Sequence, residues 1–181
     1  MPDKDFIKSV PDGDNLERDI CRHCGFIDYQ NPQVVVGAVV RSNGRILMCR
    51  RAIPPRRGYW TLPAGFMELH ETPQAGAARE TMEEANAKIT IHTLLAVYTI
   101  PRISQVQLMY RATLESDFSA GPESLEVGLF DPQDIPYDDV AFPSVLWALE
   151  HDFAVEAGDQ NSPFVNPPGE TGSLKAPRWQ D

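Results

Sequence analysis

The stretch from Gly65 to Ala87, GFMELHETPQAGAARETMEEANA, constrains this chain more than any other. Glu80, Glu83 and Glu84 stand at i, i+3 and i+4, which on an α-helix gathers three carboxylates on one face within about a turn. Charges of one sign that close repel each other unless a positive centre sits among them. A hard divalent cation with oxygen ligands answers that need, and Mg²⁺ is the usual one where a phosphate is also bound. The same spacing describes a solvated acidic helix face, and these residues alone leave both readings open. Around the cluster the local signals agree on a helix. Thr72 is placed to cap it and Pro73 fits its first turn. Ala75, Ala77, Ala78 and Met82 favour it, and Asn86 tolerates the left-handed conformation that ends it. Leu62 to Phe66 reads as a strand breaking into a tight loop, with Glu71 and Arg79 spaced to pair across it.

The full spacing is Gly65, five residues, Glu71, seven residues, Arg79-Glu80, two residues, Glu83-Glu84. It resembles the Nudix box of the Nudix hydrolase superfamily. Three weaker positions depart from that pattern: Thr81 and Ala87 replace larger aliphatics, and Asn86 replaces a glycine. Asn is the best non-glycine residue for a left-handed cap, so the last change is mild. The resemblance spans Val10 to Phe153. It implies an α/β Nudix fold, a mixed β-sheet sandwiched between helices. It also implies Mg²⁺ (or Mn²⁺) held by Glu80, Glu83, Glu84 and the backbone carbonyl of Ala64. A further glutamate outside the box, Glu126 first and Glu123 second, would complete the metal site or act as base, and Glu80 and Glu126 both stand open as that base. Arg79 and Glu71 would shape the loop. Such a site activates water against a pyrophosphate by charge and positioning, without a covalent nucleophile.

Charge decides what else the chain can bind. Its formal net charge is −10 over 181 residues, with a pI of about 4.8. That balance disfavours nucleic acid, whose phosphate backbone needs a basic surface, while leaving room for a small nucleotide met by a metal and a few arginines. No apolar run approaches the ~20 residues of a membrane span. MPDKDFIKSV lacks the apolar centre of a signal peptide, and the three cysteines point to a reducing, cytoplasmic setting.

Three regions are expected: residues 1–32, an N-terminal segment with half a zinc-ribbon-like knuckle; 33–157, the hydrolase-like domain; and 158–181, an irregular tail. Met1 to Glu17 is polar and reads as an extended arm. Cys21-Arg-His-Cys24-Gly25 forms one knuckle, and a closed zinc site needs four ligands. Val10 to Asp14, the knuckle, and Tyr29 to Pro32 resemble the N-terminal zinc-ribbon segment of a Nudix subgroup that hydrolyses FAD and ADP-ribose. That segment normally carries two Cys pairs, so zinc at Cys21 and Cys24, completed by His23 or another subunit, competes with a metal-free turn.

Val34 to Val40 is an apolar, β-branched run that reads as a buried strand. Asn43-Gly44 predicts a hairpin turn and Arg45 to Arg50 the return strand, with Cys49 in the core. Arg51, Arg56 and Arg57, near the box, are candidates for substrate phosphates; Trp60 is read as packing. Further strands are expected over Lys88 to Ile100 and Gln105 to Leu114, then a helical turn near Asp131 to Ile135. A helix with Phe142, Val145, Leu146, Leu149 and Phe153 as its core stripe follows. The tail is rich in Pro, Gly and Asn, with Trp179 a lone aromatic able to dock.

Within the superfamily, Ser104-Gln105-Val106-Gln107 departs from the Ser-Gln-Pro-Trp signature of NADH pyrophosphatases, and Pro101 lies near the proline of the ADP-ribose class. The resemblance therefore implies hydrolysis of ADP-ribose or FAD with release of AMP, in a homodimer. The competing readings are a non-catalytic nucleotide sensor and a hydrolase of NADH, nucleoside triphosphates or capped RNA. Sensors of this fold commonly lose box carboxylates, which this chain keeps.

Overall fold

The computed structural model of the chain describes residues 5–174. They form two compact units, Met1–Pro32 and Gln33–Asp181. The first holds three short antiparallel strands, β1 (Phe6–Ser9), β2 (Arg18–Cys21) and β3 (Ile27–Asp28), in the order β1-β2-β3. The expected extended arm is thus partly wrong: Phe6 to Ser9 pair with Cys21 to Arg18. The polar residues that suggested an arm are partners within the unit. The Asp14 carboxylate accepts the N–H groups of Asn15 and Leu16 and pairs with Arg18 at 2.8 Å. The Arg18 guanidinium in turn lies 5.3 Å from the centre of the Tyr29 ring.

In the second unit, β4 (Gln33–Ser42) turns through Asn43 and Gly44, both at positive φ (50° and 81°), into β5 (Arg45–Arg51). That two-residue loop is the expected one, because its left-handed backbone matches the strand twist. There follow β6 (Trp60–Thr61), β7 (Ala64–Phe66), α1 (Pro73–Ala85), β8 (Ile89–Ile100), β9 (Gln105–Leu114), β10 (Ser124–Phe130) and α2 (Pro143–Glu156). The sheet order is β10-β5-β4-β9-β8, with β6 on β5 and β7 on β4. β4 and β9 run parallel and the other pairs antiparallel, so the sheet is mixed.

Alternation along the strands divides the core between the helices. Val36, Ala38 and Val40 of β4, with Leu47 and Cys49 of β5, pack against Ala77 and Ala85 of α1. The intervening Val39, Ile46 and Met48 pack with Tyr98 of β8 against Val145, Trp147, Ala148 and Leu149 of α2. The sheet therefore lies between two helices, the layering the sequence led us to expect. Trp60 packs edge-on to Phe130, ring centres 4.8 Å apart.

The face that α2 buries is wider than its expected stripe. Ser144, Trp147, Ala148 and Asp152 are buried beside Val145 and Leu149, whereas Phe142 and Phe153 are only partly so. Asp152 is fully buried because two arginines from the sheet reach it: Arg41 Nε and Arg111 Nε each donate to its carboxylate at 2.7 Å. Arg111 also pairs with Glu156.

Residues 158–174 contain no helix or strand but are sewn to β8. Phe164 N–H donates to Leu95 O at 2.8 Å, and Val97 N–H to Phe164 O at 2.9 Å. Trp179 lies outside the described residues. Among the described residues no helix is long and apolar enough to cross a membrane.

Candidate active site

β7 delivers the chain into the loop before α1, and the helix then folds its acidic face back over that loop. Thr72 caps α1, its hydroxyl accepting the Ala75 N–H at 3.2 Å. Asn86 ends it in the left-handed conformation, φ 47° and ψ 35°. Its side-chain amide donates to Ser119 Oγ and Ala120 O, each at 3.1 Å, and so also tethers the loop before β10. Thr81 is wholly buried and returns its hydroxyl to Ala77 O at 2.8 Å, which satisfies a polar group where a larger aliphatic was expected.

Gly65 leaves room for a box carboxylate. A Cβ there would lie 2.3 Å from Glu80 Oε2, so any side chain would displace the carboxylate. Gly121 is constrained more firmly: a Cβ would lie 1.8 Å from the backbone Glu83 O, which cannot swing aside.

Arg79 organises the cluster. Its Nε and Nη2 hold the Glu71 carboxylate at 3.1 and 2.9 Å, and its Nη1 reaches Glu80 Oε1 at 2.8 Å and Glu83 Oε2 at 3.1 Å. A further bond from Nη2 to Phe66 O, 3.0 Å, fixes the loop itself. Hydrogen bonds from Arg79, then from the Glu68 N–H, hold the Glu71 carboxyl below its ordinary range. The bonds to Glu71, and then to Glu80, raise the pKa of the Arg79 guanidinium. The expected Glu71–Arg79 pair is present with loop-shaping geometry.

The box glutamates differ in environment. Glu83 is more than half exposed. Glu80 is mostly buried, its side chain 12% exposed, and that burial raises its pKa against the opposing pull of Arg79. Glu84 is 5% exposed. Its Oε2 accepts the Ala64 N–H at 3.2 Å, and burial pushes its carboxyl up to about 8. Glu80 and Glu123 add repulsion at Glu84, while Arg51 relieves it.

These groups open onto a cleft of about 1210 Å³. Ala64, Gly65, Arg79, Glu80, Glu83 and Glu84 line it from the box. Arg51 lines it from β5, its Nε donating to Pro55 O at 2.9 Å and its guanidinium 5.2 Å from the Phe142 ring centre. Arg56 and Arg57 do not line it; Arg56 sits 5.2 Å from the Tyr59 ring centre. Of the two glutamates outside the box, Glu123 lines the cleft and Glu126 does not. A register shift between Ser124 and Glu126 pairs the latter with Arg50 on β5, and its carboxylate lies 3.6 Å from that guanidinium. Arg102, Gln105, Gln107 and Leu174 also line the cleft. Sequence reasoning passed over all four. Arg102 alone carried a signal, a cation in a turn between two strands.

Among the described residues, no three His, Cys, Asp or Glu side chains are grouped so as to hold a metal ion. In the box Arg79 binds Glu80 and Glu83, and the Ala64 amide binds Glu84. The donor set nevertheless suits a hard divalent cation. It is all oxygen, and it includes a deeply buried carboxylate whose charge is disfavoured until a cation compensates it. Cys21 and Cys24 fare differently. Bonds from the backbone N–H of Cys24, then of His23, hold the Cys21 thiol below its ordinary pKa; two thiols are half of a closed zinc site, and among the described residues no third ligand is grouped with them.

Comparison with known proteins agrees with this geometry. A model described as NUDIX domain matches residues 31–148, and one described as Nudix N-terminal, a zinc-ribbon family, matches residues 6–30. A NUDIX hydrolase of solved structure from Nitrosomonas europaea superposes with a TM-score of 0.83 at 47% identity, covering 89% of this chain and 93% of that one. A MutT-like protein from Streptomyces ambofaciens is 43% identical over 77 residues, 42% of this chain, and the match spans 48% of that protein's length. An ADP-ribose pyrophosphatase from Methanocaldococcus jannaschii is 28% identical over 113 residues, 60% of this chain and 67% of that protein. With a box that folds as described, and with its family model matched across most of the second unit, the chain belongs to the NUDIX domain family.

Proposed function

We propose that the chain is a Mg²⁺- or Mn²⁺-dependent pyrophosphohydrolase of a nucleoside diphosphate linked to a second group, with ADP-ribose or FAD as substrate and AMP as a product. One observation carries this reading: a single cleft joins the box carboxylates to the cation Arg51 and to broad apolar walls. A diphosphate needs the first two features, and a nucleoside needs the third. The relative named as an ADP-ribose pyrophosphatase supports the choice of substrate.

Glu80, Glu83 and Glu84, with the carbonyl of Ala64, would hold the metal. When bound, it supplies charge neutralisation of the diphosphate and acidification of water. Arg51 flanks the diphosphate. Glu123 takes the role expected of Glu126, because Glu123 lines the cleft and Glu126 is engaged with Arg50. Either Glu80 or Glu123 accepts a proton from the attacking water. Water adds to one phosphorus, the bridging P–O bond breaks, and ADP-ribose yields AMP and ribose 5-phosphate.

A substrate panel with Mg²⁺ tests this: ADP-ribose, FAD, NADH, diadenosine polyphosphates and nucleoside triphosphates, with products separated by chromatography. AMP released chiefly from ADP-ribose or FAD is the expected result. Activity confined to triphosphates would discard the substrate class. Binding without turnover of any compound would favour a nucleotide sensor.

A further inference from the structure

The tail was expected to be irregular, and residues 158–174 are; yet they follow β8 closely and end in the cleft wall. After the Phe164 bonds to Leu95 and Val97, Asn166 continues the attachment. Its Oδ1 accepts the Thr99 N–H at 2.9 Å, and its Nδ2 donates to Thr99 O at 2.8 Å and to Glu170 O at 3.0 Å. The ring of Phe164 stacks on His151 of α2, centres 4.3 Å apart and planes 5° from parallel. These contacts bring Gly172 down on Ile100, where a Cβ would lie 2.6 Å from Ile100 Cδ1. Gly172 is buried there. Leu174, two residues on, lines the cleft beside Ile100 and Ile103.

The sheet sets how far this wall lies from the chemistry. Phe66 of β7 pairs with Val35 of β4, Val35 with Gln107 of β9, and Gln105 of β9 with Ile100 of β8. Three strand spacings separate β7 from β8, about 14 Å. That separation suits a nucleoside whose phosphates lie at the box and whose base lies at the far wall. Ile100, Ile103 and Leu174 give that wall an apolar face, with Arg102, Gln105 and Gln107 at its edges, an arrangement that suits a flat, weakly hydrated group with a polar rim.

We propose that this strap is a specificity element: Leu174, held in place by Asn166, forms the wall against which the non-phosphate group of the substrate packs. Leu174 touches the bound group, and Asn166, which lies outside the cleft, acts as a positioning residue. The proposal rests on the nucleotide reading of the cleft.

The test compares two probes on the full chain with Mg²⁺, AMP and inorganic pyrophosphate, by calorimetry. Leu174→Ala is expected to weaken AMP about five- to tenfold and to leave pyrophosphate within about twofold. Asn166→Ala is expected to do the same, and the double variant to lose less than the product of the two. Thermal melts establish that each variant is folded; Leu174 is partly exposed, so its truncation leaves the core intact. Unchanged AMP affinity in folded Leu174→Ala, or equal weakening of both probes, would overturn the strap while leaving the pyrophosphohydrolase reading standing. A parent protein that binds neither probe would overturn that reading and the strap with it.

Discussion

At the residue scale, Glu84 shows how function sets the chemistry of a single side chain. Its burial lifts its carboxyl pKa to about 8, so the folded state favours the protonated form. Stability from this group is complete below its unfolded pKa near 4.5 and is lost as pH rises through about 8. In chelator the cost by pH 8 is on the order of 4 kcal/mol. Glu84→Gln keeps an acceptor for the Ala64 N–H and removes that charge. In EDTA the variant is therefore expected to melt higher than the parent at pH 8 and equally at pH 4.5, while losing turnover by orders of magnitude. A lower melting temperature at pH 8 would contradict this account of the buried charge.

The carboxylate spacing, the Thr72 cap and the Asn86 end were legible because helix geometry is local. The choice between Glu123 and Glu126 was not, since the bulge in β10 that turns Glu126 toward Arg50 depends on pairing across the sheet. Arg56 and Arg57 misled for a similar reason: closeness to the box in sequence does not say which way a loop faces.

At the scale of elements, α2 is joined to the sheet by charge as well as packing. Asp152 is fully buried between Arg41 and Arg111. Asp152→Ala leaves both guanidinium groups without their buried partner and is expected to cost about 3–5 kcal/mol by urea unfolding. A loss below about 1 kcal/mol would show the cluster to be solvated in solution. Sequence periodicity marked α2 but not this cluster, because an aspartate on a helix reads as a surface residue until its cations are located on β4 and β9.

His151 offers a second handle on the same helix. Its Nδ1 lies 2.7 Å from the Tyr98 hydroxyl, and burial holds its pKa below the ordinary value. The stability it contributes is present above pH 6.5 and is lost as pH falls through that value toward its lower folded pKa. Amide protection of Val97 and Phe164 is expected to drop between pH 7.5 and pH 5.5 in the parent. It should be nearly constant in His151→Phe, which keeps the stack without the titration. An equal drop in both proteins would assign the effect elsewhere.

At the scale of the whole molecule, two units carry separate parts of the sequence signal. The mixed sheet between helices could be anticipated from the box, the apolar run at Val34 to Val40 and the Asn43-Gly44 turn. The first unit could be anticipated as a zinc-ribbon-like segment from its knuckle, but its three strands could not, because they are too short for alternation to show and its polar residues satisfy one another. With Asp14, Arg18 and Tyr29 making its internal contacts, Cys21→Ser is expected to leave turnover within about twofold. Stoichiometric zinc in the parent that vanishes in this variant would show that the half-knuckle is completed by groups beyond the described residues. The strap was equally hidden, since its order comes from β8 rather than from any pattern of its own.

The measurement that bears most directly on the central claim is AMP release from ADP-ribose with Mg²⁺ by the parent and by Glu83→Gln. Glu83 is an exposed member of the box, so its substitution spares the fold and isolates the chemistry. The account predicts AMP with ribose 5-phosphate from the parent and a fall of roughly a thousandfold in kcat for the variant, at unchanged melting temperature in chelator. Parent and variant turning over alike, or a parent that releases no AMP, would contradict it.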